Sequence, residues 1–175
     1  MKTEKETLRT EAIFSEDGLH RYSQLREWDK KRPAAMVITI APSHQSNLQY
    51  DLTNVLVMNQ LIELGYGSYY AVNLYSKIGL SHHLKELATG WDEAGDALIV
   101  EQAGHVDQII LAYGSITTKK EVAEREKLLL EKLQKHHEKI KLLTDDKQKQ
   151  GYHPLSPKVR KGWILKAYTL DMAPF

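Results

Sequence analysis

Three polar segments of this chain carry residue types that could do chemistry. The run Ala41-Pro42-Ser43-His44-Gln45-Ser46-Asn47 sets hydroxyls, an imidazole and amides directly after an apolar stretch, and Asp51 follows where a helix N-cap carboxylate belongs. Asn73 stands inside the apolar run around Val72 and Leu74. A buried amide without partners costs on the order of 1–3 kcal/mol, so Asn73 either bonds a neighbouring loop or reads a ligand with its paired donor and acceptor. His153, in His153-Pro154-Leu155-Ser156-Pro157, offers a neutral acceptor or a cationic donor near pH 7, with its direction fixed by the prolines. The plain alternatives are a well-capped turn, a loop-bonded amide and a surface histidine without a role.

Other candidates carry less. Lys158, Arg160 and Lys161 follow the His153 loop, where basic groups beside a pocket could steer a phosphate backbone. The pairs His82-His83 and His136-His137 point in different directions on a helix and have no identifiable further ligands, so no metal is expected. Gly114-Ser115 lacks the glycine-flanked nucleophile elbow, and adjacency alone does not make Ser43-His44 a catalytic pair. Neither a glycine-rich dinucleotide motif nor a P-loop occurs, and no cofactor is expected.

The elements that position these segments follow from hydrophobic patterning. Residues 12–28 read as a hairpin turning at Asp17-Gly18, with Leu19, Arg21, Ser23 and Leu25 on one face. The nearly continuous apolar run 34–40 reads as a central strand covered on both faces. Leu52, Val55, Leu56, Asn59 and Ile62 recur at helical spacing, with Gly65 in the C-cap region, and 68–74 forms the next strand. A helix over 90–105, a strand over 107–113 stopped by Gly114, a Lys- and Glu-rich helix from 119 to about 137, and a short strand from Ile140 to Leu143 complete the series. The sum is a single α/β domain over 1–175. It is expected to be a three-layer α/β/α sandwich over 34–170, with a central sheet of about four mostly parallel strands, preceded by the antiparallel hairpin. In such sheets ligands bind beyond the carboxyl ends of the strands, which is where Ser43, Asn73 and His153 fall.

Composition sets outer limits. A chain of 175 residues, 42% hydrophobic, suffices for one buried core. Its formal net charge of +1 supplies no global field toward nucleic acid or membrane. The absence of cysteine excludes disulfides and thiolate chemistry and fits a reducing cytosol. The charged start Met1-Lys2-Thr3-Glu4-Lys5-Glu6 leads into no apolar run, and no stretch approaches the roughly 20 apolar residues of a spanning helix, so no membrane partner is expected.

The series Phe14-Ser15-x-Asp17-Gly18, Trp28-Asp29, Arg32-Pro33, Pro42-Ser43, Asp51-x-Thr53, Gly65-Tyr66, Val72-Asn73-Leu74, Tyr113-Gly114 and His153-Pro154-Leu155 resembles the bacterial domain-of-unknown-function family numbered 1643 over nearly the whole chain. Members of that family typically carry an Asn before the Pro-Ser turn, an acidic residue after it and a Trp before the third-strand glycine. This chain has Ala41, His44 or Gln45, and Tyr113 at those positions.

More distantly, the layout is similar to the uracil-DNA glycosylase superfamily, which places a proline-containing water-activating loop after the first strand, a base-reading Asn after the second and a His-Pro loop after the fourth. That resemblance implies a nucleobase-, nucleotide- or nucleic-acid-recognising site. Asn73 would read the edge of a flipped base and His153 would stabilise charge developing on it. Ser43 or Asp51 would stand in for the missing water-positioning Asp, and Pro42, His44, Asn47, Gly114, Pro154 and Ser156 would surround the base, with Tyr75, Tyr50 or Tyr113 to stack on it. The enzymatic form is an N-glycosidic hydrolase. The alternatives are a non-catalytic nucleotide- or small-metabolite-binding module, and a hydrolase using Ser43 with His153.

Overall fold

A computed structural model describes residues 1–42, 47–80, 84–147 and 150–169. The chain forms one seven-stranded mixed sheet with few helices. Its strands are β1 (Arg9–Phe14), β2 (Arg21–Glu27), β3 (Ala34–Thr39), β4 (Ser68–Asn73), β5 (Gln108–Leu111), β6 (Ile140–Thr144) and β7 (Ile164–Ala167), in the order β1-β2-β4-β3-β5-β6-β7. The helices are α1 (Leu52–Glu63), α2 (Leu84–Leu87), α3 (Glu93–Ala103) and α4 (Lys120–Lys132). Among the described residues, no helix is long and apolar enough to cross a membrane.

The apolar run of β3 is explained by its cover. Met36 and Ile38 pack into a cluster with Ile99 and Ala103 of α3 and Val122 and Leu129 of α4, whereas Ala35 and Val37 pack into another with Val57 and Leu61 of α1. β3 pairs in parallel with β4 and β5, and β5 with β6. The remaining pairings, β1 with β2, β2 with β4 and β6 with β7, are antiparallel.

Three features differ from the sequence expectation. The N-terminal hairpin does not stand in front of a separate sheet. β2 zips onto β4, Gln24 opposite Ala71 and Arg26 opposite Tyr69, so the hairpin is one flank of the same sheet and β7 closes the other. Second, the register shifts from Ile13↔Ser23 to Phe14↔Arg21, a bulge that turns Arg21 off the face it was expected to share with Ser23. Ser23 consequently bonds Gln102 of α3 at 2.8 Å, while Arg21 faces the α1 side.

Third, α1 buries a different stripe from the expected one. Asn54, Val57, Gln60 and Leu61 are buried, and Leu52, Val55 and Ile62 are exposed. Both stripes are apolar enough to compete. The buried one also places Asn54 Oδ1 within 3.3 Å of the Tyr69 hydroxyl, which needs a partner when buried. The ends of α1 follow the expected chemistry: the Asp51 carboxylate accepts from Asn54 N at 2.7 Å, and Gly65 takes φ +87° just past the last turn.

Candidate functional site

Thr39 closes β3 and Asn73 closes β4, and the two are register partners. Just beyond them lies a cavity of about 60 Å³, bordered by Arg21 of β2, Thr39, Asp51 at the start of α1, Asn54, Tyr69, Asn73 and His153. It has room for a few waters, which is the scale of one small ring or one oxyanion and well below the roughly 300–1,000 Å³ of a site for a drug-sized ligand.

Asn73 is 4% exposed. Its Nδ2 donates to Thr39 Oγ1 at 2.7 Å, and its Oδ1 has no hydrogen-bond partner among the described residues. Buried side-chain amides are rarely left this way, because the lost hydrogen bond with water is not replaced. The amide faces the cavity with an idle acceptor and one remaining Nδ2 hydrogen, which is the complement of a planar ring edge carrying N–H beside C=O.

His153 reaches the cavity from the loop after β6. Leu155 N donates to its Nδ1 at 3.2 Å, which places the proton of the neutral ring on Nε2 and leaves that nitrogen as a donor. Burial pushes the imidazole below its ordinary range, and the nearby Asp51 charge opposes this only in part, so the ring is neutral at pH 7. Its backbone is held from two sides. Ser156 N bonds His153 O at 2.8 Å, and Gly114, at φ +69°, lies so close that a Cβ there would stand 3.0 Å from His153 N.

The Arg21 guanidinium is buried and stays charged. Burial lowers its pKa, the Asp51 carboxylate raises it, and the like charge of Arg26 lowers it again. The Tyr69 phenol is driven up by burial and remains a neutral hydroxyl.

The structure therefore gathers Asp51, Asn73 and His153 of the expected residues around one cavity. Ser43 and His44 lie outside the described residues, as do Gln45 and Ser46. Pro42 is buried beside the lining residue Ala41 and does not itself line the cavity. Asn47 does not line it either. Its Oδ1 accepts from Thr10 Oγ1 at 3.0 Å and Gln24 Nε2 at 2.9 Å, so it ties the end of its loop to the hairpin.

Tyr75, two residues past the end of β4, leaves the strand's alternation and falls with Leu74 in the core on the opposite sheet face. Tyr113 is in that core too, and Tyr50 is exposed at 45%. Gly114 supports His153 rather than bordering the cavity. Pro154 is buried and Ser156 holds the local turn, its Oγ accepting from Lys158 N at 3.4 Å. Lys158, Arg160 and Lys161 are exposed and border no part of the cavity; Arg160 Nε bonds Leu155 O at 2.9 Å.

Arg21, Thr39, Asn54 and Tyr69 were not anticipated. A charged residue in a hairpin strand reads as solvent-facing unless the bulge is known. The available signal was the polar content of β2, in which Arg21, Ser23, Gln24 and Arg26 are all buried. Among the described residues, no group of three or more His, Asp or Glu side chains could hold a metal ion. A wider groove of about 780 Å³ between α4 and Tyr168 contains none of the expected residues.

A family profile described as "Protein of unknown function (DUF1643)" matches residues 21–155. The chain belongs to this family. The matched DUF1643 span begins at Arg21 and ends two residues past His153, so every residue bordering the cavity lies inside it, while β1, β7 and the Lys158–Arg160–Lys161 cluster lie outside. No curated protein and no solved structure matches the chain.

Proposed function

We propose that this DUF1643 protein recognises a nucleobase, free or within a nucleotide or nucleic acid, in the cavity at the ends of β3 and β4. The observation that carries the reading is the idle Oδ1 of Asn73, buried on the cavity wall beside an Nδ2 that gives one hydrogen to Thr39 and keeps the other. An amide in that state pairs with the N–H and C=O edge of a pyrimidine-like ring. The arrangement of helices on the two faces of the sheet agrees with a three-layer α/β/α reading, and the resemblance to the uracil-DNA glycosylase superfamily assigns the same edge-reading role to Asn73.

In the enzymatic form the bond from the sugar C1′ to the base nitrogen breaks and its electron pair passes to the base. His153 Nε2–H donates to the base oxygen where that charge accumulates, a role suited to a neutral ring whose Nδ1 is already occupied. Water adds its oxygen to C1′ and gives up its proton to Asp51, the carboxylate on the wall. One observation favours the non-catalytic module instead: Asp51 is already engaged as the N-cap of α1, so activating water would compete with holding the helix.

Release of free base from uracil-containing single- and double-stranded oligonucleotides tests the enzyme. Asn73→Ala and His153→Ala are each expected to lower release at least a hundredfold. Base or nucleoside binding without release, lost in Asn73→Ala, assigns the module. Neither binding nor release in the wild type refutes the nucleobase reading.

A further inference from the structure

β2 buries two guanidiniums on the α1 side of the sheet. Arg21 borders the cavity, and Arg26 lies across from the wall residue Tyr69 in the sheet register. Arg26 is completely buried. Its Cζ stands 3.9 Å above the centre of the Tyr50 ring, and its Nη2 makes one long contact, 3.4 Å, to Asn47 O. Its Nε and Nη1 have no hydrogen-bond partner, and no carboxylate lies within ion-pair distance of it among the described residues.

A buried charge in a folded protein is ordinarily paired, because removing it from water without compensation costs several kcal/mol. Stacking on Tyr50 offsets a fraction of that. Asp51 is the carboxylate whose charge acts on Arg21. Among the described residues, one carboxylate stands beside two guanidiniums, Arg21 on the cavity wall and Arg26 behind it, and both guanidiniums are close to fully buried. By contrast Arg125, the comparably buried arginine on the other face, is saturated: it meets both oxygens of Asp96, with Nη1 at 2.9 Å, and donates Nε to Leu74 O at 2.8 Å. Arg125 has its bonds completed, whereas Arg26, behind the wall residue Tyr69, does not.

We propose that the ligand of this cavity carries a phosphate group held by Arg21 and Arg26. The proposal rests on the nucleobase reading and names its ligand class as a nucleotide, either a free mononucleotide or a nucleotide turned out of a strand. A cavity of about 60 Å³ takes the ring or the oxyanion but not both. The base lies against Asn73 and His153, so the phosphate lies outside the cavity on its β2 side and reaches Arg26 by displacing the half-exposed Tyr50 ring that covers it. Guanidinium suits that group because its planar donors match phosphate oxygens and it keeps its charge when desolvated.

Calorimetric titration of the full chain with inorganic phosphate, deoxyuridine, deoxyuridine 5′-monophosphate and a uracil-containing single strand tests this, with Arg26→Met and Arg26→Lys as variants. The monophosphate or the strand is expected to bind at least tenfold tighter than the nucleoside, and inorganic phosphate is expected to raise the melting temperature. Tighter binding of the strand assigns the phosphate to nucleic acid; tighter binding of the monophosphate assigns it to a free nucleotide. Arg26→Met should lower the monophosphate to the nucleoside's level and melt no lower than wild type without ligand, since it removes an unpaired buried charge. Should Arg26→Met fail to fold, Arg26→Lys decides: it keeps the charge, loses the planar donors, and should weaken the monophosphate several-fold. Equal affinity for nucleoside and monophosphate, with no response to phosphate, overturns the proposal and leaves the nucleobase reading standing. A phosphate response to which base and sugar add nothing overturns the nucleobase reading and the nucleotide class together. No binding of any probe overturns both.

Discussion

Replacing Gly114 by alanine tests whether the His153 loop is positioned by close backbone contact. Gly114 sits at φ +69°, a conformation that costs an L-residue about 1–2 kcal/mol. The added Cβ would stand 3.0 Å from His153 N and 3.2 Å from His153 Cβ, tight enough that His153 must retreat by a few tenths of an ångström. Gly18 and Gly79 provide the control. They have φ +70° and +68°, and a Cβ on either meets nothing within 4 Å, so their alanine variants carry the backbone cost alone. At roughly 2–4 °C per kcal/mol for a chain of this length, each control should melt about 2–8 °C below wild type and Gly114→Ala lower than either. The second readout is the His153 ring by NMR. In the wild type it should titrate below its ordinary 6.5, because burial disfavours the imidazolium. The stability attached to it is fully present above 6.5 and lost as the pH falls through the folded value. Gly114→Ala should move that midpoint back toward 6.5 as the ring is pushed outward. If Gly114→Ala melts with the controls and leaves the His153 midpoint unchanged, the contact does not position the ring and the assignment of Gly114 as its support is wrong.

Two further outcomes concern the face away from the cavity. Asp96→Ala should cost about 3–5 kcal/mol in urea unfolding, because it strands Arg125 in the core, and Asp96→Leu combined with Arg125→Met should recover most of the loss; a single-variant cost below about 1 kcal/mol would contradict the pairing. Burial raises the Glu126 carboxyl above its ordinary 4.5, and the Tyr113 hydroxyl bonded to it opposes this. In the interval from 4.5 up to the folded value the native state holds a proton that the unfolded chain has released, so stability should fall as the pH rises through it, and Glu126→Gln should flatten that slope in a pH series of melting curves.

The parts of this protein legible in its sequence are those where one residue type has one use. The run from Ala34 to Thr39 could be only a strand covered on both faces, and it packs into both cores. Asn73 was conspicuous because an amide in an apolar run needs a reason, and its half-satisfied state bears on what that reason is. Asp51 and Gly65 announced the ends of α1 through capping chemistry that depends on local backbone alone. What stayed hidden depends on partners distant in sequence. Val55 and Val57 are equally apolar, and only the position of the sheet decides that Val57 is buried. Tyr75 looked available beside Asn73, yet the step past the end of β4 sends it to the opposite core.

Arg21 is the instructive case, since one displaced residue changes the chemistry of the site. With regular alternation through β2, Arg21 would share the Ser23 face, which meets α3. The bulge between Arg21 and Ser23 spends one residue without a partner and so delivers Arg21 to the α1 face, joining Gln24 and Arg26 there. Bulges recur beside functional sites because they re-aim a side chain without rebuilding the sheet. The pairing of β2 with β4 then brings that strand's buried polar side chains alongside Tyr69, Ala71 and Asn73. The hairpin flank that the sequence presented as a peripheral appendage thereby supplies a buried guanidinium to the cavity wall, and the DUF1643 match begins at that residue, Arg21, which the bulge turns inward.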